Sequence, residues 1–117
     1  SERVVLKIPS ILSPYKCAFL PLLKKDGLPE ISKKIQKKLK LNFSTVYDEK
    51  DAIGRRYRRQ DAIGTPYCIT IDHQTVNDNT ITIRERDSMN QERIHMDKLE
   101  EFLRSSLNIN NWLLNSA

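Results

Sequence analysis

The sequence predicts an α/β fold in which a mixed sheet of five strands is flanked by three helices. Between residues 15 and 71, apolar strand-like runs alternate with segments of helical periodicity. That alternation favours parallel strands joined by right-handed crossovers. Two further strand-like runs then follow, and we expect them to add an antiparallel part to the sheet. The 117 residues suit one core, so a single domain over residues 1–117 is expected.

The first half of the chain supplies strands and one amphipathic helix. Val4 to Ile8 alternate as a short strand, and the mostly apolar run from Tyr15 to Leu22 is typical of a buried one. A helix is predicted over Pro29 to Lys40, with proline in its first turn. Phe43 to Tyr47 then form a second short strand of the sheet. The helix carries an apolar stripe on one side and lysines on the other, namely Lys33, Lys34, Lys37 and Lys40.

A second helix is predicted between Asp51, which can cap its start, and Gly64, which can end it. Ile53, Tyr57 and Gln60 fall on one side of this helix, at steps of four and three residues. The next strand covers Tyr67 to Ile71.

The last third of the sequence is expected to complete the sheet and add a third helix. Turn-forming residues from Val76 to Asn79 predict that Thr80 to Arg84 pair back as an antiparallel hairpin. Gln91 to His95 are expected to form a fifth, central strand. Asp97, with Glu100 three residues later, resembles a capping box for a helix that runs to about Leu107. Trp112 and Leu113 are expected to cover an edge.

Composition and motif content argue against several functions. No stretch approaches the roughly 18 apolar residues that span a bilayer, so neither a membrane span nor a secretory signal is expected and the protein should be cytoplasmic. Cys17 and Cys68 lie in apolar runs and are expected to be buried, reduced thiols. No residues show metal-ligand spacing, a nucleophile motif or a glycine-rich phosphate loop. We therefore predict no catalytic, metal or cofactor site.

The second predicted helix is rich in arginine, and phosphate is the commonest partner of such a cluster. Arg55, Arg58 and Arg59 project from one side, and Arg56 flanks them. The net charge of +5 permits a nucleic-acid partner. The alternative is a solvated face whose arginines form ion pairs with the neighbouring acidic residues, which are Asp48, Glu49, Asp51 and Asp61.

A second polar segment lies where a predicted strand becomes a turn, from Thr82 to Gln91. Arginine, acidic and amide side chains are the groups that proteins use to read the exposed edges of unpaired bases. The alternative is a ladder of cross-strand ion pairs, which contributes little individually. The candidate base-reading residues are Arg84, Glu85, Arg86, Asp87 and Gln91.

Three stretches together resemble the C-terminal anticodon-binding domain of glycyl-tRNA synthetase, a class IIa aminoacyl-tRNA synthetase. They are KCAFLPL from Lys16, YDEKDAIGRRYRRQDAIGTPYCITID from Tyr47, and TIRERDSMNQERI from Thr82. Threonyl, prolyl and histidyl enzymes carry looser versions of the central stretch, and the RERDSMNQ run points to the glycyl branch. The sequence resembles the dimeric, eukaryote-like type of this enzyme as it occurs in bacteria.

The resemblance implies a function for the two polar segments. Arg84, Arg86, Asp87 and Gln91, with Glu85, would read the cytosines that glycine anticodons share, while Arg55, Arg56, Arg58 and Arg59 would hold phosphates of the tRNA-Gly stem-loop. Tyr57 would pack inward with Ile53. The catalytic domain that uses ATP and Mg²⁺ to join glycine to tRNA would lie elsewhere in the parent enzyme, a homodimer. This domain alone would hold no cofactor and catalyse nothing.

The alternative function keeps the fold and changes the partner. The same fold occurs in accessory proteins that are not synthetases, including the accessory subunit of mitochondrial DNA polymerase. A protein-interaction module with an arginine-rich face is a second alternative. Because Val4 to Ile8 look like a continuation of an upstream segment, we favour an excised domain of a longer enzyme.

Overall fold

The computed structural model describes residues 15–106, which fold as a mixed α/β sheet protein. The predicted strand from Val4 to Ile8 and the covering role of Trp112 and Leu113 lie outside the described residues. In chain order the elements are β1 (Cys17–Pro21), α1 (Leu28–Leu39), β2 (Thr45–Tyr47), α2 (Ile53–Ile63), β3 (Tyr67–Ile71), α3 (His73–Asp78), β4 (Thr80–Glu85), β5 (Gln91–His95), a 3-10 turn (Met96–Lys98) and α4, which is helical over residues 99–106.

The five strands form one sheet in the order β2-β1-β3-β4-β5. Strand β1 runs parallel to β2 and β3, whereas β4 is antiparallel to both β3 and β5. The predicted mixed sheet of five strands is therefore confirmed. The prediction that Gln91 to His95 form a central strand is wrong, because β5 lies at the edge of the sheet.

Helices cover the two faces of the sheet unequally. On one face, which we call the α1 face, Phe19, Ile69 and Ile83 form the main core with α1 and α4. On the opposite face, the α2 face, Ala18, Leu20 and Cys68 pack against α2. Strands β1 and β3 are consequently buried throughout their length.

The structure contains a fourth helix that the sequence analysis missed. Residues predicted to form a turn after β3 form α3 instead, so that β3 and β4 are joined by a short helix. Asp72 caps α3 by accepting hydrogen bonds from the backbone N–H and the hydroxyl of Thr75, at 3.1 and 3.2 Å. The Thr75 hydroxyl in turn accepts from the Asp72 N–H. Such a reciprocal box stabilises even a six-residue helix.

Two predicted helix starts also differ in the structure. Ala52, not Asp51, is the N-cap of α2, and Asp51 has a positive φ of 67° that turns the chain into the helix. The last helix is entered through the 3-10 turn, whose N-cap is His95 rather than Asp97. The end of α2 was predicted correctly, because Gly64 adopts a left-handed φ of 92°.

Both cysteines are buried free thiols, as predicted. They lie in neighbouring strands on opposite faces of the sheet, Cys17 on the α1 face and Cys68 on the α2 face. Burial raises the pKa of Cys68 to about 12 and also raises the pKa of Cys17. Both thiols are therefore protonated and unreactive at neutral pH.

Candidate nucleic-acid interface

Strands β4 and β5 present a row of polar side chains on the α2 face of the sheet. The strand register places Arg84 opposite Gln91, Thr82 opposite Arg93, and Thr80 opposite His95. Solvent reaches this surface, since Gln91 and His95 are exposed and Arg93 is partly exposed. We call these six residues the open face: Thr80, Thr82, Arg84, Gln91, Arg93 and His95.

Arg84 lies at the border between the open face and α2, and little of it is exposed. Its guanidinium donates to both carboxylate oxygens of Asp61, at 3.1 and 3.3 Å, and stacks 4.8 Å from the ring centre of Tyr57. Burial acts to lower the pKa of Arg84, but the hydrogen bond and the charge of the Asp61 carboxylate outweigh burial and raise this pKa. Its partner therefore lies on a helix, so the cross-strand ion-pair ladder is not what holds Arg84.

The side chain of Arg86 also binds Asp61, but at the backbone carbonyl of Asp61 instead of its carboxylate. Its Nε donates to the Asp61 carbonyl oxygen at 3.1 Å, and its own N–H donates to the carbonyl of Pro66 at 2.9 Å. The side chain is 7% exposed, and its Nη1 lies 3.6 Å from a carboxylate oxygen of Asp87. Two of the predicted base-reading arginines therefore converge on the last turn of α2, where they fix the position of the β4–β5 hairpin.

The remaining predicted base-reading residues divide between the two faces of the sheet. Gln91 lies on the open face, and Asp87 is 60% exposed at the hairpin tip. Glu85 pairs with Tyr67 across the β3–β4 ladder, so its side chain belongs to the α1 face. The structure thus brings Arg84 and Gln91 together, with Arg86 and Asp87 beside them, and separates Glu85 from them.

Arg93 is a polar group on the open face that the sequence analysis missed. Its guanidinium pairs with the carboxylate of Asp72 and donates to the hydroxyl and the carbonyl oxygen of Thr80, at 2.8 and 3.1 Å. The side chain nevertheless remains 27% exposed. A signal was available, because Arg93 follows Gln91 by two residues and strand side chains with that spacing share a face.

The arginines of α2 have three different environments, although they are neighbours in sequence. Arg56 is 2% exposed. It donates to four backbone carbonyl oxygens: those of Pro21 and Leu22 at the end of β1, and those of Asp48 and Asp51 before α2. Burial lowers the pKa of the Arg56 guanidinium. The charge of the neighbouring Asp48 carboxylate opposes this decrease in part. Arg56 therefore ties two loops to α2, and its donors are not directed to solvent.

Arg59 forms ion pairs with Asp48 and Asp51, and the second of these is 2.6 Å long. For this arginine, the ion-pair alternative agrees with the geometry. Arg55 and Arg58 are exposed, and no ion pair within residues 15–106 involves either of them. They are the α2 arginines whose charge is available to an incoming phosphate. The inward packing of Tyr57 with Ile53 is confirmed, and the Tyr57 hydroxyl lies 2.5 Å from that of Thr70.

Residues 15–106 contain no group of three or more histidine, cysteine or acidic side chains that could hold a metal ion. No helix among them is long and apolar enough to cross a membrane. The side chains of the open face offer hydrogen-bond donors, hydrogen-bond acceptors and positive charge.

Comparison with known sequences assigns most of the chain to one family. A family model described as an anticodon binding domain matches residues 16–106. The chain is 45% identical over 106 residues to a glycine–tRNA ligase of Borrelia hermsii, and 48% identical over 105 residues to that of Treponema pallidum. It is 47% identical over 105 residues to that of Rhodopirellula baltica. These matches cover 90–91% of the chain but only 20–24% of the relatives.

Solved structures share the same fold. The RNA binding domain of threonyl-tRNA synthetase from Cryptosporidium parvum aligns with a TM-score of 0.74 at 25% identity, over 85% of this chain and 25% of that one. Prolyl-tRNA synthetase of the same organism, in complex with halofuginone and AMPPNP, aligns with a TM-score of 0.82 over 95% of this chain and 24% of its own. Because its identity is only 18%, the second match is evidence for a shared fold and for nothing more.

Proposed function

Because this chain belongs to the anticodon-binding domain family, we propose that it recognises the anticodon stem-loop of tRNA-Gly as part of a glycine–tRNA ligase. The relatives that are 45–48% identical to it carry that activity in their names. The observation that carries the proposal is the open face, where the exposed amide of Gln91 and the partly exposed guanidinium of Arg93 lie side by side on β5. A surface of that kind can hydrogen-bond the edges of splayed bases.

Cytosine and uracil differ in the hydrogen bonds that this surface can make. Cytosine offers an amino donor beside two acceptors, whereas uracil has a carbonyl in place of the amino group. The amide of Gln91 can accept from the amino group and donate to the ring nitrogen, and Asp87 can accept from a second cytosine. Arg93 adds donors for the base carbonyl. Arg84 and Arg86 support these residues by holding the hairpin against Asp61.

The α2 arginines form the phosphate-binding part of the proposal. Arg55 and Arg58 are exposed and free of ion pairs among the described residues, so both can meet the RNA backbone. Arg59 can do so only by sharing its guanidinium with Asp48 and Asp51. Arg56 is removed from this set, since its donors are already used by carbonyl oxygens.

The proposal assigns the chemical step to the rest of a longer protein. The chain spans about a quarter of the length of its glycine–tRNA ligase relatives. The binding of ATP, Mg²⁺ and glycine, the formation of a homodimer and the cytoplasmic location belong to that whole enzyme. This domain contributes recognition and no catalytic group.

The test is a titration of the domain with an anticodon stem-loop of tRNA-Gly and with the same stem-loop carrying uracil in place of both anticodon cytosines. We expect the native loop to be preferred at low and at moderate salt. Gln91→Ala should remove about 1–3 kcal/mol of that preference. Gln74→Ala, which changes an exposed glutamine of α3, serves as the matched control and should leave the preference intact.

Three results would count against this function. If both loops bound with equal affinity and strong salt dependence, the surface would bind polyanions in general and would not distinguish bases. If Gln91→Ala kept the same preference for the native loop, the open face would not be the base-reading surface. Binding of neither loop would favour the protein-interaction alternative.

A further inference from the structure

A second positively charged surface lies on the opposite side of the molecule from the open face. Lys33, Lys37 and Lys40 follow one another at steps of four and three residues, which places them in one row along α1. Together with Gln36 and Tyr47 they line a shallow depression of about 340 Å³ beside the edge strand β2. We call these five residues the lysine groove.

The lysines of the groove carry uncompensated charge. All three are exposed, and within residues 15–106 none of them forms an ion pair. The Nζ of Lys33 lies 5.1 Å from the ring centre of Tyr47, which orients one of the three cations. Gln36 donates to the hydroxyl of Thr45 at 3.1 Å and so fixes the floor of the groove against β2.

Two acidic side chains approach Tyr47 at one edge of this surface. Tyr47 donates through its hydroxyl to the carboxylate of Glu49 at 2.8 Å. The carboxylate of Glu30, in the first turn of α1, interacts electrostatically with the same tyrosine. At the other end of α1, Asp97 and Glu100 lie beside Lys38 and Leu39, and Glu100 accepts a hydrogen bond from Asn42 at 2.6 Å.

We propose that the lysine groove binds the sugar–phosphate backbone of RNA, at a site separate from the base-reading surface. Lysine acts on phosphate as a point charge and requires no exact geometry. The Cβ atoms of neighbouring residues in the row lie about 5–6 Å apart along the helix, so the long lysine side chains can reach successive phosphates. Lysine is depleted from protein–protein interfaces, so RNA fits this surface better than an acidic protein.

The position of the groove makes it an additional contact rather than an extension of the first. It lies on the α1 face near β2, whereas the open face lies on the α2 face at β4 and β5. The inference goes beyond anticodon recognition and does not depend on it, because backbone phosphates carry no sequence information.

The test compares two triple variants of the full chain that lower its net charge of +5 equally. One is Lys33→Gln/Lys37→Gln/Lys40→Gln in the groove. The control is Lys24→Gln/Lys25→Gln/Lys98→Gln, which changes three exposed lysines elsewhere. The probe is a blunt RNA duplex of about 16 base pairs, which presents a backbone without unpaired bases. Affinity is measured by fluorescence anisotropy at several salt concentrations.

The groove variant should bind the duplex more weakly and with a shallower salt dependence. Loss of three phosphate contacts reduces the slope of log K against log[salt] by about two to three, and the control should change it by less than about one. Equal slopes in the two variants would overturn the proposal and leave an acidic protein as the better partner. Loop preference in the stem-loop titration is a separate readout, so either proposal can fail without the other.

Discussion

Arg56 shows how one residue of a charged cluster can be structural while its neighbours face solvent. The helical spacing predicted that Ile53, Tyr57 and Gln60 share one side of α2, and in the structure this side faces the sheet. The same spacing places Arg56 four residues before Gln60, on the buried side of α2. The loop carbonyls that Arg56 binds come from distant parts of the chain, and no local pattern could reveal them.

Replacing Arg56 should destabilise the fold strongly. Arg56→Met keeps the length of the side chain but removes every donor to the loop carbonyls, so we expect a loss of at least about 3 kcal/mol in the free energy of unfolding. Arg55→Met, at the exposed neighbouring position, should cost less than about 0.5 kcal/mol. Urea unfolding followed by circular dichroism measures both. Similar midpoints for the two variants would contradict the anchoring role.

At the scale of elements, α3 was missed because its sequence is rich in turn formers and has no apolar stripe. A single capping interaction and the pairing of Asp72 with Arg93 hold it in place. The longer helices α1 and α2 were predicted to within a few residues, because α1 has an apolar stripe and α2 ends at a recognisable glycine. A short helix that depends mainly on its cap offers fewer such signals in the sequence.

The cap of α3 can be tested with two substitutions at one position. Asp72→Ala removes both the acceptor for Thr75 and the partner of Arg93, and should lower stability by about 2 kcal/mol. Asp72→Asn keeps a capping oxygen and loses the charge, so its loss should be about half as large. Thermal unfolding compares the two variants with the original chain. Equal losses for alanine and asparagine would mean that the cap contributes nothing.

For the whole molecule, the fold class and the family were predictable, and the strand order was only partly so. The alternating elements indicated the mixed sheet, and the quoted motifs indicated the anticodon-binding domain of glycyl-tRNA synthetase, a resemblance that the family match over residues 16–106 confirms. The edge position of β5 was missed, although four of its five residues are polar. The convergence of Arg84 and Arg86 on Asp61 depends on tertiary packing between α2 and the hairpin, which no sequence spacing encodes.

The layering of the sheet predicts a gradient of local stability. Strands β1 and β3 are buried on both faces, whereas β5 is at most partly buried. Backbone amides of the central strands should therefore exchange with deuterium about 100-fold more slowly than those of β5. Hydrogen exchange followed by mass spectrometry of proteolytic peptides measures this ratio. Equal protection of β3 and β5 would contradict the gradient.

The outer edge of β5 bears on self-association at high concentration. Within residues 15–106, no strand pairs with that edge, and a free edge is a template for strand addition by a second copy. If two copies of β5 paired antiparallel about their centres, Arg93 would lie opposite Arg93. Like charges at directly opposed positions repel. Arg93, whose guanidinium is paired with Asp72 on the open face, therefore also disfavours aggregation through this edge.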